Sequence, residues 1–130
     1  MIILDTCAFV WLIDSPKNLS DKAVRAIEEQ SETLAVLPIS AWEIALKCGQ
    51  RGIVISKGRM PLEWYNEAVH NYGIQEIPLT ASLLCESAKL PLIHRDPCDR
   101  MIIAAAIMHR CPIITADKIF GKYPNLSVIW

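Results

Sequence analysis

One hundred and thirty residues, 52% of them apolar and with a mean hydropathy of +0.28, supply enough apolar side chain for one core and too little chain for two domains. A formal net charge of -1 and a pI near 6.3 exclude the global basic field of a non-specific nucleic-acid binder, so any polyanion contact has to be local. No basic stretch precedes the N-terminal apolar run and Met101 to Met108 falls short of the ~20 residues a bilayer span needs, so residues 1–130 read as a single cytoplasmic domain.

Ile2-Ile3-Leu4 is a continuous apolar run closed by Asp5-Thr6, the pattern of a strand buried on both faces in a parallel sheet. A short helix over Cys7 to Ile13 is broken at Asp14-Ser15-Pro16, and Ser20 caps a helix that runs through Ala23, Val24 and Ile27 to about Gln30. Leu34 to Leu37 is a second strand. Ser40 is expected to cap a helix from Ala41 to about Cys48, stopped by Gly49, and Gly52 to Arg59 is a basic loop. Pro61 opens a helix through Trp64, Ala68 and Val69 that Gly73 ends, and Ile74 to Ile77 is a third strand. Thr80 to Lys89 is helical in pattern and Leu90 to Arg95 is a loop. Asp96 then caps a helix with Pro97 at its first position and Met101, Ile102, Ala104, Ala105 and Met108 along it. Cys111 to Ile114 is a fourth strand ending at Thr115-Ala116-Asp117, a short helix follows, and Ser127-Val128-Ile129 is a fifth strand. This alternation predicts an α/β, three-layer, Rossmann-like fold: a parallel sheet of four to five strands flanked by helices, with the site beyond the strands' carboxyl ends.

Four acids stand where strands end or helices begin. Asp5 and Asp117 follow strands, Glu43 lies in an apolar helix, and Asp99 is the third residue of the helix that Asp96 caps. Gathered in one cleft, they suit a hydrated divalent metal and phosphoryl chemistry. Each also has a structural reading. Asp5 serves equally as a turn residue, Glu43 as an i,i+4 partner of Lys47, and Asp99 and Asp117 as capping acids. Asp96 is given to capping. Thr6, Ser40 and Thr115 are hydroxyls beside these acids, while Lys47 and Arg100 are neighbouring cations. His94 is read as a loop histidine bonded to backbone, and His70 and His109 have no spaced partners.

Other chemistries fit poorly, because G-x-S-x-G, G-x-G-x-x-G, H-E-x-x-H and Gly-rich phosphate loops are all missing from the sequence. A phosphoaspartate mechanism would place a second Asp where Cys7 stands. The five cysteines are odd in number and form no C-x-x-C pair, so they read as free buried thiols. Local basic candidates are Lys47, Arg51, Lys57 and Arg59, and separately His94, Arg95 and Arg100.

The chain resembles the PIN domain nucleases, and within them the VapC-like toxins, on four motifs in order: Ile3-Leu4-Asp5-Thr6, Ser40 to Lys47, His94 to Ala104, and Ile114-Thr115-Ala116-Asp117. The resemblance implies that Asp5, Glu43, Asp99 and Asp117 form a catalytic cluster binding Mg²⁺ or Mn²⁺. It also implies support from Thr6, Ser40 and Thr115, endoribonuclease activity, a homodimer and a VapB-type antitoxin partner. Cys7 stands where relatives often carry histidine, and Cys98 where an aromatic is usual; both raise sensitivity to oxidation as an expectation. Two alternatives stay open: a partner-held module with little activity of its own, suggested by the apolar excess, and an RNA-processing nuclease without an antitoxin. The sequence leaves the RNA target, and DNA as a substrate, undecided.

Overall fold

The computed structural model describes residues 1–29, 33–49, 52–56 and 58–130. Five strands, β1 (Ile2–Leu4), β2 (Leu34–Val36), β3 (Gln75–Glu76), β4 (Ile113–Ile114) and β5 (Val128–Ile129), pair in the order β3-β2-β1-β4-β5, all parallel. The helices are α1 (Thr6–Asp14), α2 (Asp21–Glu29), α3 (Pro38–Lys47), α4 (Pro61–Asn71), α5 (Ala81–Lys89) and α6 (Pro97–His109). The expected short helix after Asp117 is a 3₁₀ turn over Phe120–Lys122. Gln30, where α2 was expected to end, lies outside the described residues, as do Arg51 and Lys57.

The period-2 pleat divides the apolar residues between two cores. Ile2, Leu4, Val36 and Ile114 face one side, packing with Phe9 and Val10 of α1, Ala23 of α2, Ile44 of α3 and Trp64 and Tyr65 of α4. Ile3, Ala35 and Ile113 face the other, with Leu83 of α5, Ile102, Ile103 and Ala106 of α6, Phe120 and Tyr123. Phe9 lies at the centre of the first core, edge-on to Trp64 at 5.3 Å and to Tyr65 at 5.6 Å. Strands buried on both faces explain why β1 and β4 read as unbroken apolar runs.

One helix start differs from expectation. α3 begins at Pro38, not Ala41, and Leu37 holds the cap position in extended conformation without a side-chain cap. Proline pre-sets its own φ for the first helical residue and pushes the residue before it out of the helical region, so Pro38 outranks Ser40 as the start signal. Ser40 is instead a fully buried residue of the first turn. The other expected caps hold: Ser20 accepts from Ala23 N–H and Asp96 from Cys98 N–H, while Thr80, expected only as the first residue of a helix, caps α5 by accepting from Leu83 N–H. Gly73, at φ +61°, ends α4 in the left-handed region where a side chain would be strained.

The cysteine expectation holds in part. Cys98 and Cys111 are buried free thiols, Cys48 is half-buried, and Cys7 and Cys85 reach the surface. Among the described residues, no helix is long and apolar enough to cross a membrane.

Candidate active site

Strand order reverses at β1: the chain moves from β1 to β2 and β3 on one side, then returns to β4 and β5 on the other. Such a switch opens a crevice at the strands' carboxyl ends. Asp5 follows β1 there, Asp117 follows β4 by three residues, and the second turn of α3 and the first turn of α6 bring Glu43 and Asp99 alongside. A cleft of about 190 Å³ is lined by Asp5, Thr6, Cys7, Glu43, Lys47, Asp99 and Asp117 among others.

Asp5 fulfils its structural reading and faces the cleft as well. Its Oδ1 accepts from Ala8 N–H at 2.6 Å and so caps α1. Burial pushes its carboxyl up to about 6, with Glu43 and Asp117 adding to the rise, against hydrogen bonds from Thr115 and Ala8 that favour the charged form. Asp99 is likewise raised, first by burial and then by Asp96, while His94 opposes the rise. These are carboxylates crowded together with too little positive charge.

Glu43 is buried, and both of its oxygens are engaged. Thr6 Oγ1 donates to Oε1 at 2.7 Å, and Lys47 Nζ to Oε2 at 2.6 Å. The i,i+4 pair expected as the structural reading is therefore present. Ser40 Oγ lies 2.9 Å from Thr6 Oγ1, so the two hydroxyls and Glu43 tie α1 to α3. Thr115, also buried, accepts from Asp117 N–H at 3.0 Å and hydrogen-bonds Asp5, linking the two strand-end acids. Asp117 Oδ1 accepts from Ile119 N–H at 2.8 Å, which makes it a turn acid too.

Two expectations change. Arg100 is buried, and its guanidinium donates to the carbonyls of Ser87, Leu90, Pro91 and His94 at 2.8–3.2 Å. Both terminal nitrogens of the guanidinium are thus spent on carbonyls at the end of α5 and in the loop after it, so Arg100 braces the segment before α6. The local basic patch also shrinks, because Lys47 is paired with Glu43 and Arg59 with Glu67. His94 is the expected loop histidine bonded to backbone, Nδ1 accepting from Asp96 N–H at 3.1 Å, and it faces the acids as well. It is buried with Nε2 at 2.9 Å from Asp117 Oδ2 and 3.2 Å from Asp99 Oδ2. Its place two residues before the capping Asp96 was the available signal, since it puts the ring at the mouth of α6.

The model of the family described as "PIN domain" matches residues 2–126. The chain belongs to the PIN domain family. It is 30% identical over 133 residues to "Ribonuclease VapC22" of Mycobacterium tuberculosis, covering 99% of this chain and 98% of that protein. Its fold matches the VapBC2 structure from Rickettsia felis bound to a promoter DNA fragment, with a TM-score of 0.67, 16% identity and coverage of 98% and 97%. A toxin–antitoxin complex from Klebsiella pneumoniae matches at 0.65, with 18% identity and coverage of 97% and 95%. In this PIN domain the Cys7 thiol is pushed up to about 11 and Cys98 to about 12, both first by burial and then by neighbouring carboxylates. Thiols held protonated are poor nucleophiles, which argues against ready oxidation at either position.

Beside the acidic cleft runs an apolar groove of about 840 Å³ between α3 and the start of α6, lined by Pro38, Trp42, Leu46, Leu79, Pro97 and Met101 with Arg95 and Asp96 at its edge. Trp42 is 55% exposed there and Leu46 51%. The apolar excess of the sequence thus includes contiguous surface on this face.

Proposed function

We propose that this chain is a metal-dependent endoribonuclease, the toxin of a VapBC-type pair, acting in the cytoplasm through residues 1–130 as one PIN domain. The convergence of Asp5, Glu43, Asp99 and Asp117 on one cleft carries the reading. The 30% identity to a ribonuclease over nearly the full length supports it.

The donor set fits a hard divalent cation, since each of the four acids offers carboxylate oxygens. Crowding raises the Asp5 and Asp99 carboxyls, and a cation would relieve it. Asp5, Asp99 and Asp117 are the proposed ligands of Mg²⁺ or Mn²⁺. Glu43 completes the acidic wall, each of its oxygens already accepting one hydrogen bond, from Thr6 and from Lys47. When bound, the cation supplies acidification of water and neutralisation of charge on the phosphate. The chain's own residues fix the geometry. Thr6, Ser40 and Thr115 hold the carboxylates, Asp96 caps α6 so that Asp99 enters the cleft in its first turn, and Arg100 steadies the loop. Lys47, its side chain 34% exposed at the rim, is the cation that an RNA phosphate meets first.

The exposed groove along α3 and α6 supports the partner component of the reading: a VapB-type antitoxin and a second copy of the chain compete for apolar surface of this kind. Cleavage of a structured-RNA panel by purified, antitoxin-free protein in Mg²⁺ or Mn²⁺ tests the activity, with EDTA and Asp99→Asn as controls. Cleavage lost in both controls is expected. Cleavage that survives Asp99→Asn removes Asp99 from the site. No cleavage in any condition by folded protein favours a partner-held module instead.

A further inference from the structure

His94, Asp99 and Asp117 offer three potential ligand atoms within 4.8 Å of one another, which by composition alone reads as a metal site. The hydrogen bonds argue otherwise for the imidazole. Asp96 N–H donates to His94 Nδ1 at 3.1 Å, so Nδ1 presents its lone pair to the backbone and the ring proton sits on Nε2. That Nε2–H donates to Asp117 Oδ2 at 2.9 Å, and Asp99 Oδ2 lies 3.2 Å from the same nitrogen. A nitrogen carrying a proton has no lone pair for a cation. We propose that His94 is a positioning residue, which holds Asp117 beyond β4 through its Nε2–H and keeps that proton beside the Asp99 carboxylate of α6, and that it is not itself a metal ligand.

The ring is built into place from every side. Its backbone N–H donates to Tyr123 Oη at 2.8 Å, and its carbonyl accepts from Arg100 at 3.2 Å. Its edge packs on Phe120, with centroids 5.4 Å apart at 84°. Asp96 thereby does two things at once: its carboxylate starts α6, and its N–H selects the imidazole tautomer. Asp99 and Asp117 come from different elements with 17 residues of chain between them, and His94 Nε2 lies within 3.2 Å of a carboxylate oxygen of each while hydrogen-bonding Asp117. Groups that orient metal-binding residues in this way typically contribute 10–100-fold in affinity.

The inference rests on the nuclease reading only for the identity of what the two acids hold. The first experiment is ¹⁵N NMR of the imidazole nitrogens of the full chain in EDTA and in saturating Mg²⁺, with the His94 signals assigned by their loss in His94→Gln. The Nε2–H tautomer is expected in both states. An Nδ1–H tautomer, or loss of the Nε2 proton when Mg²⁺ is added, makes His94 a ligand and overturns the proposal. Calorimetric Mg²⁺ titration is the second measurement. His94→Ala is expected to weaken binding about 10–100-fold. His94→Gln, which keeps a neutral N–H donor at the Nε2 position, is expected to recover the greater part. A folded His94→Ala that binds Mg²⁺ like wild type also overturns it. Finding the Nε2–H tautomer in a chain that never cleaves RNA overturns the nuclease reading and leaves the assignment of His94 standing. Cleavage with the Nδ1–H tautomer does the reverse.

Discussion

Replacing Asp5 with Asn should stabilise the metal-free protein while abolishing its function. Asp5 has an ordinary value of 3.8 and is raised to about 6 in the fold, chiefly by burial. Folding therefore favours its neutral form. Below pH ~4 the carboxyl is protonated both folded and unfolded and contributes nothing. As pH rises through about 6 the folded state must carry a buried charge, and stability falls. At 1.36 kcal/mol per tenfold change in acidity, the full penalty above pH ~7 is about 3 kcal/mol. Asn keeps the oxygen that accepts from Ala8 N–H and cannot ionise. Urea unfolding in EDTA at pH 8 should thus find Asp5→Asn more stable than wild type by about 2–3 kcal/mol, with the difference vanishing near pH 4. Added Mg²⁺ should raise wild type at pH 8 and leave the variant nearly unmoved. An Asp5→Asn protein that is less stable than wild type at pH 8 in EDTA would refute the reasoning, because Asp5 would then stabilise the fold as a charged cap.

Arg100→Ala should cost about 3–5 kcal/mol in urea unfolding, since it strips donors from buried carbonyls, and Arg100→Lys should not rescue it because an ammonium cannot span the same set. A loss under 1 kcal/mol would mean that water satisfies those carbonyls. Asp14→Ala removes the carboxylate that accepts from Ser56 N–H, Ser56 Oγ and Trp64 Nε1 at 2.7–2.8 Å. Faster proteolytic nicking around residues 52–60 should follow, and an unchanged digestion pattern would show that the burial of Ile53 and Ile55 suffices to hold this segment. Cys7, raised from 9.0 to about 11, has about 100-fold less thiolate at pH 8 than an ordinary thiol. Greater intrinsic nucleophilicity recovers part of this, so its alkylation by iodoacetamide should be slower by about tenfold, read by mass spectrometry against exposed Cys85.

Strand β1, the caps at Ser20 and Asp96, and the acids at strand ends were legible because their signals are local: an apolar run, a hydroxyl or carboxylate before a helix, a proline at its first position. Ser40 misled because a good cap residue lies two positions inside a helix already started by Pro38, and proline's fixed φ is the stronger constraint. Arg100 and His94 exchanged expected roles for a different reason. Nothing near Arg100 in sequence reveals the carbonyls of residues 87–94 that it satisfies, and nothing near His94 reveals Asp117, which is 23 residues away. The role of His94 is set by the return of the chain across α6 to β4, and that of Arg100 by the path of the connection from α5 back to α6, neither of which a local residue pattern encodes. Asp14 shows the same limit: read as a helix breaker, it ties residues 42 and 50 positions distant.

The acids differ in what anchors them, and this limits how the cleft can vary. Leu4 and Ile114, which precede Asp5 and Thr115, are registered neighbours in adjacent parallel strands, so Asp5 and Thr115 inherit a spacing fixed by the sheet's hydrogen-bond ladder, and Asp117 is tied to it through Thr115. Asp99 rides on a helix joined to that sheet through side-chain packing alone, and such packing shifts by fractions of an ångström with single core substitutions. Cation preference should therefore be adjustable through Ile102, Ile103 or Leu83, none of which touches the cleft, whereas substitutions in β1 or β4 should abolish the site before they retune it.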